Sequence, residues 1–256
     1  MAGRRVLILG GTTEALEVAE KLAVVDGVEV ITSMAGVTRN PRLPRGEIRT
    51  GGFGGADGLL DYLRAGNIAA VLDATHPFAA QISRHAADAG GRAGVPVLHL
   101  SRPPWEQGFG DNWHRFNSAR EAAAWLDGSP LPDASTVFLT IGRTELAVFA
   151  EITRLDFIAR AIEAPDLAGA AAVVRTILGR GPFSLEDERR LLVENDVACL
   201  VAKNSGGTAS YPKMEAARDL GLPVGMITPP PPPAGMTAED TDTAIEWLCA
   251  TLDVAP

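Results

Sequence analysis

The sequence predicts an α/β protein with two Rossmann-like domains, in each of which helices flank a parallel sheet. Short apolar runs alternate with segments of helical spacing through both halves of the 256-residue chain. A glycine turn follows an apolar run in each half, at Gly10–Gly11 and at Gly206–Gly207. Because ligands bind at the carboxyl ends of parallel strands, we expect an active-site cleft between the two domains.

In the first half, the continuous apolar runs are typical of strands that are buried on both faces of a parallel sheet. The segments between them place apolar residues three or four positions apart, as an amphipathic helix does. Residues 35–55 contain mostly loop-forming residues. The predicted strands are Val6–Leu9, Val28–Ser33, Glu47–Arg49, Ala69–Asp73 and Val95–Leu100, and the predicted helices are Glu14–Val24, Asp57–Ala65 and Ala79–Ala93.

The alternation breaks at Pro103–Pro104, because proline lacks the N–H group that a strand needs. A helix capped near Ser118 follows, and the glycine- and proline-rich segment 128–132 has the composition of a linker. We therefore predict a domain boundary at this linker. The two predicted domains are residues 1–128 and residues 129–256.

The second half repeats the alternation of strands and helices, although residues 171–178 fit neither period clearly. Five successive prolines, Pro229–Pro233, predict a stiff connector. A last helix, residues 237–252, could pack on either domain. The other predicted strands are Thr136–Ile141, Phe157–Ala161, Val197–Val201 and Pro223–Ile227, and the other helices are Glu145–Glu151, Ser210–Leu220 and one capped by Ser184.

Composition excludes several classes of protein. The net charge of −9 disfavours general nucleic-acid binding, which needs a basic surface. No apolar run approaches the roughly 20 residues of a membrane span, and the first run is too short for a signal peptide. Cys199 and Cys249 lie in apolar runs without the spacing of a metal site, so we expect no metal, a reducing compartment and a cytoplasmic location.

The first glycine turn is a candidate phosphate site. Gly10 and Gly11 allow a phosphate to approach the backbone closely, and the N–H groups at a helix start attract it. Thr12 and Thr13 add hydroxyl groups to this turn. The turn departs from the dinucleotide pattern G-x-G-x-x-G, so a tight turn without a ligand is the alternative.

Polar residues also follow two other strands of the first half. Ser33 stands where NAD enzymes carry an acidic residue, and Ser33 with Arg39 suits the 2′-phosphate of NADPH. Asp73 and Thr75 could contact a ribose, and Asp73 could instead orient His76. The alternatives are a solvated basic loop and a helix cap.

The second half offers groups that bind carboxylates or phosphates. Lys203 precedes the second glycine turn, and charged or hydrogen-bonding groups surround it. We expect these groups to hold a large anionic substrate that faces the cofactor. The predicted substrate-binding residues are Arg102, Arg143, Asn204, Ser205, Gly206 and Gly207.

Together these segments resemble the precorrin-6A reductase family of corrin-ring biosynthesis. They occur in order over nearly the whole chain. Arg39 lies further from Gly36 than the family's arginine usually does. The matching segments are Leu9–Glu14, Asp73–Ala79, Arg102–Pro103 with Trp105, Thr140–Arg143, Gly181–Phe183 and Lys203–Gly207.

The resemblance implies that NADPH gives a hydride to one carbon of a C=C bond of precorrin-6A, forming precorrin-6B. The substrate carries several carboxylates, in agreement with the anion-binding groups. His76 and Lys203 are the candidate proton donors, and water or a substrate carboxylate remains an equal alternative.

Two other functions stay open at this point. One is an S-adenosylmethionine-dependent methyltransferase of the same pathway, and the other is a non-catalytic nucleotide-binding module. A short-chain dehydrogenase is disfavoured, because neither Tyr62 nor Tyr211 has a lysine four residues further on.

Overall fold

The computed structural model describes residues 4–36, 43–165, 171–172 and 174–255. The chain forms two compact units. The first consists of Met1–Pro103 with Pro230–Pro256, and the second of Pro104–Pro229. Within the described residues, no helix is long and apolar enough to cross a membrane.

The first unit contains a parallel six-stranded sheet in the order β12-β5-β4-β1-β2-β3. Its strands are β1 (Arg4–Leu9), β2 (Val28–Met34), β3 (Glu47–Thr50), β4 (Ile68–Asp73), β5 (Val97–Leu100) and β12 (Met236–Ala238). Its helices are α1 (Thr13–Leu22), α2 (Gly55–Ala65), α3 (Ala80–Ala93) and α8 (Thr241–Leu252).

The last helix, α8, packs in the first unit against α1 and β4. Ala244 and Leu248 join the apolar cluster that covers one face of the sheet. Lys21 of α1 forms an ion pair of 2.8 Å with Asp242 at the start of α8. The helix that the sequence could not assign to a domain therefore belongs to the first unit.

The second unit contains another parallel six-stranded sheet, in the order β6-β11-β10-β7-β8-β9. Its strands are β6 (Asn112–Phe116), β7 (Thr136–Thr140), β8 (Asp156–Ala161), β9 (Val174–Leu178), β10 (Val197–Lys203) and β11 (Pro223–Ile227). Its helices are α4 (Ala119–Asp127), a 3-10 turn (Arg143–Glu145), α5 (Leu146–Phe149), α6 (Leu185–Glu194) and α7 (Pro212–Asp219).

Both units share one strand order. Five strands that follow one another along the chain lie in the spatial order third, second, first, fourth, fifth, and a sixth strand is added beside the fifth. This is the doubly wound order, in which ligands bind where the first and fourth strands meet. The sequence prediction of two Rossmann-like domains with parallel sheets is thus confirmed. In this fold class, those positions correspond to the carboxyl ends of β1 and β4, and of β7 and β10.

The division between the units differs from the predicted boundary after residue 128. Strand β6 pairs with β11, and α4 packs against both strands, so residues from Pro104 onward belong to the second unit. The sequence shows a break here because β6 lies at a sheet edge. Among its residues only Trp113 is buried, so it has no apolar run.

An ion pair lies inside the second unit, between β8 and α6. Arg160 donates two hydrogen bonds of 2.6 Å to the carboxylate of Glu188, whose side chain is fully buried. The guanidinium of Arg160 lies over the rings of Phe138 and Phe183. Two opposite charges inside an apolar core are tolerated because each satisfies the other.

Candidate functional site

The first glycine turn lies at the carboxyl end of β1. Gly10 donates a backbone hydrogen bond of 2.9 Å to the Ser33 carbonyl. A Cβ atom at Gly10 would lie 3.0 Å from the Thr32 side chain, so a larger residue here would force that side chain to shift. Gly11 has a φ of +112°, and a Cβ there would meet no atom within 4 Å. The turn therefore presents an open backbone surface to a ligand at the start of α1.

Thr12 connects this turn to the end of β4. Its hydroxyl accepts a hydrogen bond of 3.1 Å from the Ala15 amide, which caps α1. The same hydroxyl donates a hydrogen bond of 2.7 Å to the Ala74 carbonyl. Thr13 is exposed in the first position of the helix. The hydroxyl of Thr12 thus fixes the turn, whereas that of Thr13 lies at the surface.

We expect Thr12→Val to lower the free energy of unfolding by about 1–2 kcal/mol, because it removes a helix cap and a bond between two loops. Thr13→Val is the matched control and should change stability by much less. Urea denaturation monitored by circular dichroism measures both. Equal losses in the two variants would contradict the role given to the Thr12 hydroxyl.

Asp73 ends β4 and is buried, with 4% of its surface exposed. One carboxylate oxygen accepts a hydrogen bond of 2.6 Å from the Thr75 hydroxyl, and the other lies 2.9 Å from Nδ1 of His99. Burial raises the pKa of Asp73, but hydrogen bonds from His99, Ser83 and Thr75 outweigh burial and bring that pKa below its usual value. The carboxylate is therefore ionised and acts as an acceptor.

This network changes the interpretation of Asp73. Both of its oxygens have partners within the first unit, and its carboxylate therefore orients Thr75 and His99. His76 is exposed, and its Nδ1 accepts a hydrogen bond of 3.3 Å from the Phe78 amide. No role was predicted for His99, because β5 was recognisable only as an apolar run.

Arg102 was predicted to bind substrate, but it lies against the first glycine turn. It forms an ion pair of 2.7 Å with Glu14, in the first turn of α1. The pair explains the carboxylate so close to a predicted phosphate site, because Arg102 neutralises it. Both side chains line a shallow depression at the carboxyl ends of β1, β4 and β5. Its other lining residues are Thr12, Ala74, Thr75 and Leu100.

At the end of β2, Ser33 is buried and accepts a hydrogen bond of 3.1 Å from Arg49. Arg49 also donates to the carbonyls of Gly51 and Gly52, and its guanidinium lies 3.7 Å from the centroid of the Phe53 ring. Arg39 lies outside the described residues. Arg49 is thus a second arginine at the position of the predicted 2′-phosphate site. Arg49 lies near the end of β3, the strand that pairs with β2. This position in the predicted strand could have identified it from the sequence.

In the second unit, Lys203 lies at the carboxyl end of β10, next to the end of β7. Its ammonium forms an ion pair of 2.5 Å with Glu145. The same Glu145 oxygen accepts a hydrogen bond of 3.1 Å from the Gly142 amide. Arg143 is exposed in the same turn. The structure therefore brings Arg143 and Lys203 to one end of the second sheet.

Hydrogen bonds with Trp105 stabilise the turn that follows Lys203. The Asn204 side chain accepts a hydrogen bond of 2.7 Å from the Trp105 amide and donates one of 2.8 Å to the Trp105 carbonyl. The Trp105 indole donates a hydrogen bond of 2.7 Å to the Gly207 carbonyl. Asn204, which was predicted to contact substrate, therefore shapes the turn. Gly206 and Gly207 have φ of +65° and +72°, a conformation that favours glycine.

The chain matches a family model described as precorrin-6x reductase CbiJ/CobK over residues 5–249. The precorrin-6A reductase of Rhodococcus erythropolis is 49% identical over 246 residues, 95% of this chain and 97% of the relative. The precorrin-6A reductase of Mycobacterium tuberculosis is 42% identical over 248 residues, again 95% and 97%. The cobalt-precorrin-6A reductase of Priestia megaterium is 28% identical over 240 residues, 88% and 90%.

Among solved structures, one described as CobK precorrin-6A reductase is similar over 97% of both chains. Its TM-score is 0.88 and its sequence identity 37%. The agreement covers both parallel sheets and not one unit alone.

Proposed function

The chain belongs to the precorrin-6x reductase family, and on that premise we propose that its first unit binds NADPH and its second unit binds the substrate. The reaction is the reduction of a C=C bond of precorrin-6A in cobalamin biosynthesis, and a nicotinamide cofactor supplies the electrons. When bound, the reduced nicotinamide gives a hydride to one carbon of that bond. The chain is thus an oxidoreductase that acts on a CH–CH pair.

Two arguments refine the substrate and the location. Relatives described as precorrin-6A reductases are 49% and 42% identical to the chain, whereas one described as a cobalt-precorrin-6A reductase is 28% identical. This difference supports precorrin-6A without cobalt as the substrate. Both cysteines are buried and unpaired, which suits a reducing compartment and supports a cytoplasmic location.

The observation that carries the proposal for NADPH is the contact between Ser33 and Arg49. A serine at the end of β2 leaves no carboxylate to repel a 2′-phosphate. The guanidinium beside it supplies positive charge and directional donors, which suit phosphate oxygens. Arg39 is proposed as a further phosphate ligand from its place in the sequence.

The first glycine turn suits the cofactor's pyrophosphate. The open backbone at Gly11 and the first N–H groups of α1, at Thr13 and Glu14, form the cradle. Arg102 is proposed on the cofactor side, because it lies beside this turn and offsets Glu14. Thr75 donates its proton to Asp73, so its oxygen is oriented as an acceptor for a hydroxyl or amide group of the cofactor.

In the second unit, Lys203 and Arg143 are proposed to bind substrate carboxylates, with the backbone of Gly206 and Gly207 beside them. Asn204 and Ser205, both buried, support that turn. Because Glu145 holds the Lys203 ammonium, an anchoring role suits Lys203 better than proton donation. His76, an exposed imidazole at the end of β4, is the proposed proton donor.

Calorimetric titration of the wild-type chain tests the cofactor assignment. NADPH should bind at least ten times more tightly than NADH, because only NADPH carries the 2′-phosphate. S-adenosylmethionine should give no heat of binding. Tight binding of S-adenosylmethionine without NADPH would instead support the methyltransferase alternative.

For the substrate side, we expect Lys203→Gln to raise the KM for precorrin-6A about tenfold, since a hydrogen bond between charged groups is lost. The Kd for NADPH should stay within twofold. Lys21→Gln removes the same charge from an exposed helix of the first unit and serves as the control. An unchanged KM for precorrin-6A, or a larger change in the Kd for NADPH, would contradict the assignment of Lys203 to substrate binding.

A further inference from the structure

A buried lysine lies next to the second glycine turn, and the proposed reaction does not use it. Lys213 is in the first turn of α7 and has only 5% of its surface exposed. Its ammonium donates a hydrogen bond of 2.8 Å to the Ser210 carbonyl. The ammonium also lies 4.9 Å from the centroid of the Trp105 ring, within reach of a cation–π interaction.

The charge of Lys213 is not neutralised by its neighbours. Arg160 on β8 and Glu188 on α6 face it, and both carboxylate oxygens of Glu188 are bound by Arg160. No carboxylate in the described ranges forms an ion pair with Lys213. Burial lowers the pKa of Lys213 to about 8, while the charge of Glu188 opposes the shift and that of Arg160 adds to it. At neutral pH the cluster therefore carries one excess positive charge.

Lys213 contacts residues at both ends of the turn of residues 204–210, Ser210 directly and Asn204 through Trp105. Ser210 lies at the end of the segment that leads from the glycines into α7. Trp105 holds the other end, through Asn204 and the Gly207 carbonyl. Tyr211 completes the surroundings, with its ring centroid 5.7 Å from that of Trp105 and its hydroxyl bound by Arg218. Lys213 thus connects the parts that fix the conformation of residues 204–210.

We propose that Lys213 is a positioning residue: it holds the turn of residues 204–210 in the form that receives a substrate carboxylate, and its ammonium adds positive potential at that place. This inference rests on the proposed binding of substrate at the turn. A buried ammonium with one oxygen acceptor is costly, and a core that only needed volume could use methionine or leucine there. An anionic ligand above the turn would offset that cost.

Steady-state kinetics with precorrin-6A and NADPH test the proposal. Lys213→Met keeps the length and apolar stem but removes the charge, and should raise the KM for precorrin-6A about tenfold. The kcat should change by less than threefold, and the Kd for NADPH should stay within twofold. In the wild type, the KM should rise by a similar factor between pH 7 and pH 9 as Lys213 loses its proton. The KM of Lys213→Met should vary much less over that range.

A folded Lys213→Met variant with the wild-type KM would overturn the proposal. A wild-type KM that is constant between pH 7 and pH 9 would overturn it too, even if the variant fails to fold. A purely structural lysine would lower stability without a separate effect on the KM for substrate.

A second readout needs no substrate. The chain contains four tryptophans, and 5-fluorotryptophan labelling with a Trp105→Phe reference assigns the ¹⁹F signal of Trp105. That signal should titrate near pH 8 in the wild type and not in Lys213→Met. A titration without precorrin-6A turnover would reject the proposed function, and with it the substrate at the turn, but would confirm that the Lys213 charge acts on Trp105. Turnover of precorrin-6A with no titration of the ¹⁹F signal, and with an unchanged KM in Lys213→Met, would support the proposed function and reject the role of Lys213.

Discussion

Arg49→Ala is expected to lower the preference for NADPH over NADH at least tenfold. The guanidinium at the end of β3 lies beside Ser33, where the 2′-phosphate is proposed to bind. Hydrogen bonds to a charged group contribute about 1.5–3 kcal/mol, and each 1.4 kcal/mol is a factor of ten in binding. NADH lacks the phosphate, so its binding should change little. The ratio of kcat/KM for the two cofactors measures the effect.

The ratio of kcat/KM for the two cofactors separates loss of phosphate binding from a general disturbance of the loop. Arg49 contacts the carbonyls of Gly51 and Gly52 and the Phe53 ring, so its loss will disturb the loop for both cofactors alike. Arg64→Ala, on an exposed face of α2, is the matched control and should leave the ratio unchanged. If Arg49→Ala preserved the ratio, the phosphate would be recognised elsewhere, with Arg39 the next residue to replace.

Glu188→Gln is expected to lower the free energy of unfolding by about 3–5 kcal/mol. The change leaves the guanidinium of Arg160 buried without its carboxylate, and breaking a buried ion pair in this way is strongly destabilising. Lys213 adds to the loss, because the charge of Glu188 also stabilises its buried ammonium. Urea denaturation measures the change.

Two further variants separate charge from packing at this site. Glu186→Gln, exposed on the same helix, should have little effect. The double replacement Arg160→Met with Glu188→Met removes both charges and should recover most of the loss. A double variant as unstable as Glu188→Gln alone would show that hydrogen-bond geometry or shape, and not the unpaired charge, dominates.

The sequence predicted the strands with continuous apolar runs, such as β1, β4, β7 and β10, because a parallel strand covered on both faces has no polar side. It missed β6 and β12, which lie at sheet edges and are largely exposed. Each joins its sheet beside a strand that is distant in the chain. Local spacing cannot report such a pairing, so the predicted boundary differs from the division in the structure.

The candidate site shows the same limit. The glycine turn at Gly10–Gly11 was recognisable, because strand, turn and helix follow one another directly. Asn204 was predicted to bind substrate, yet its amide binds Trp105, which lies 99 residues earlier. The contacts of Asp73 with His99 and of Ser33 with Arg49 likewise join neighbouring strands. Residue type indicated the chemistry, but only the folded structure shows which polar groups already have partners.

NADPH oxidation followed at 340 nm, in the presence and absence of precorrin-6A, is the most direct test of the central claim. The account predicts oxidation that depends on precorrin-6A and matches it mole for mole. It also predicts that NADH at the same concentration reacts at least ten times more slowly, since it lacks the 2′-phosphate. Equal rates with NADH and NADPH, or oxidation that does not depend on precorrin-6A, would contradict the account.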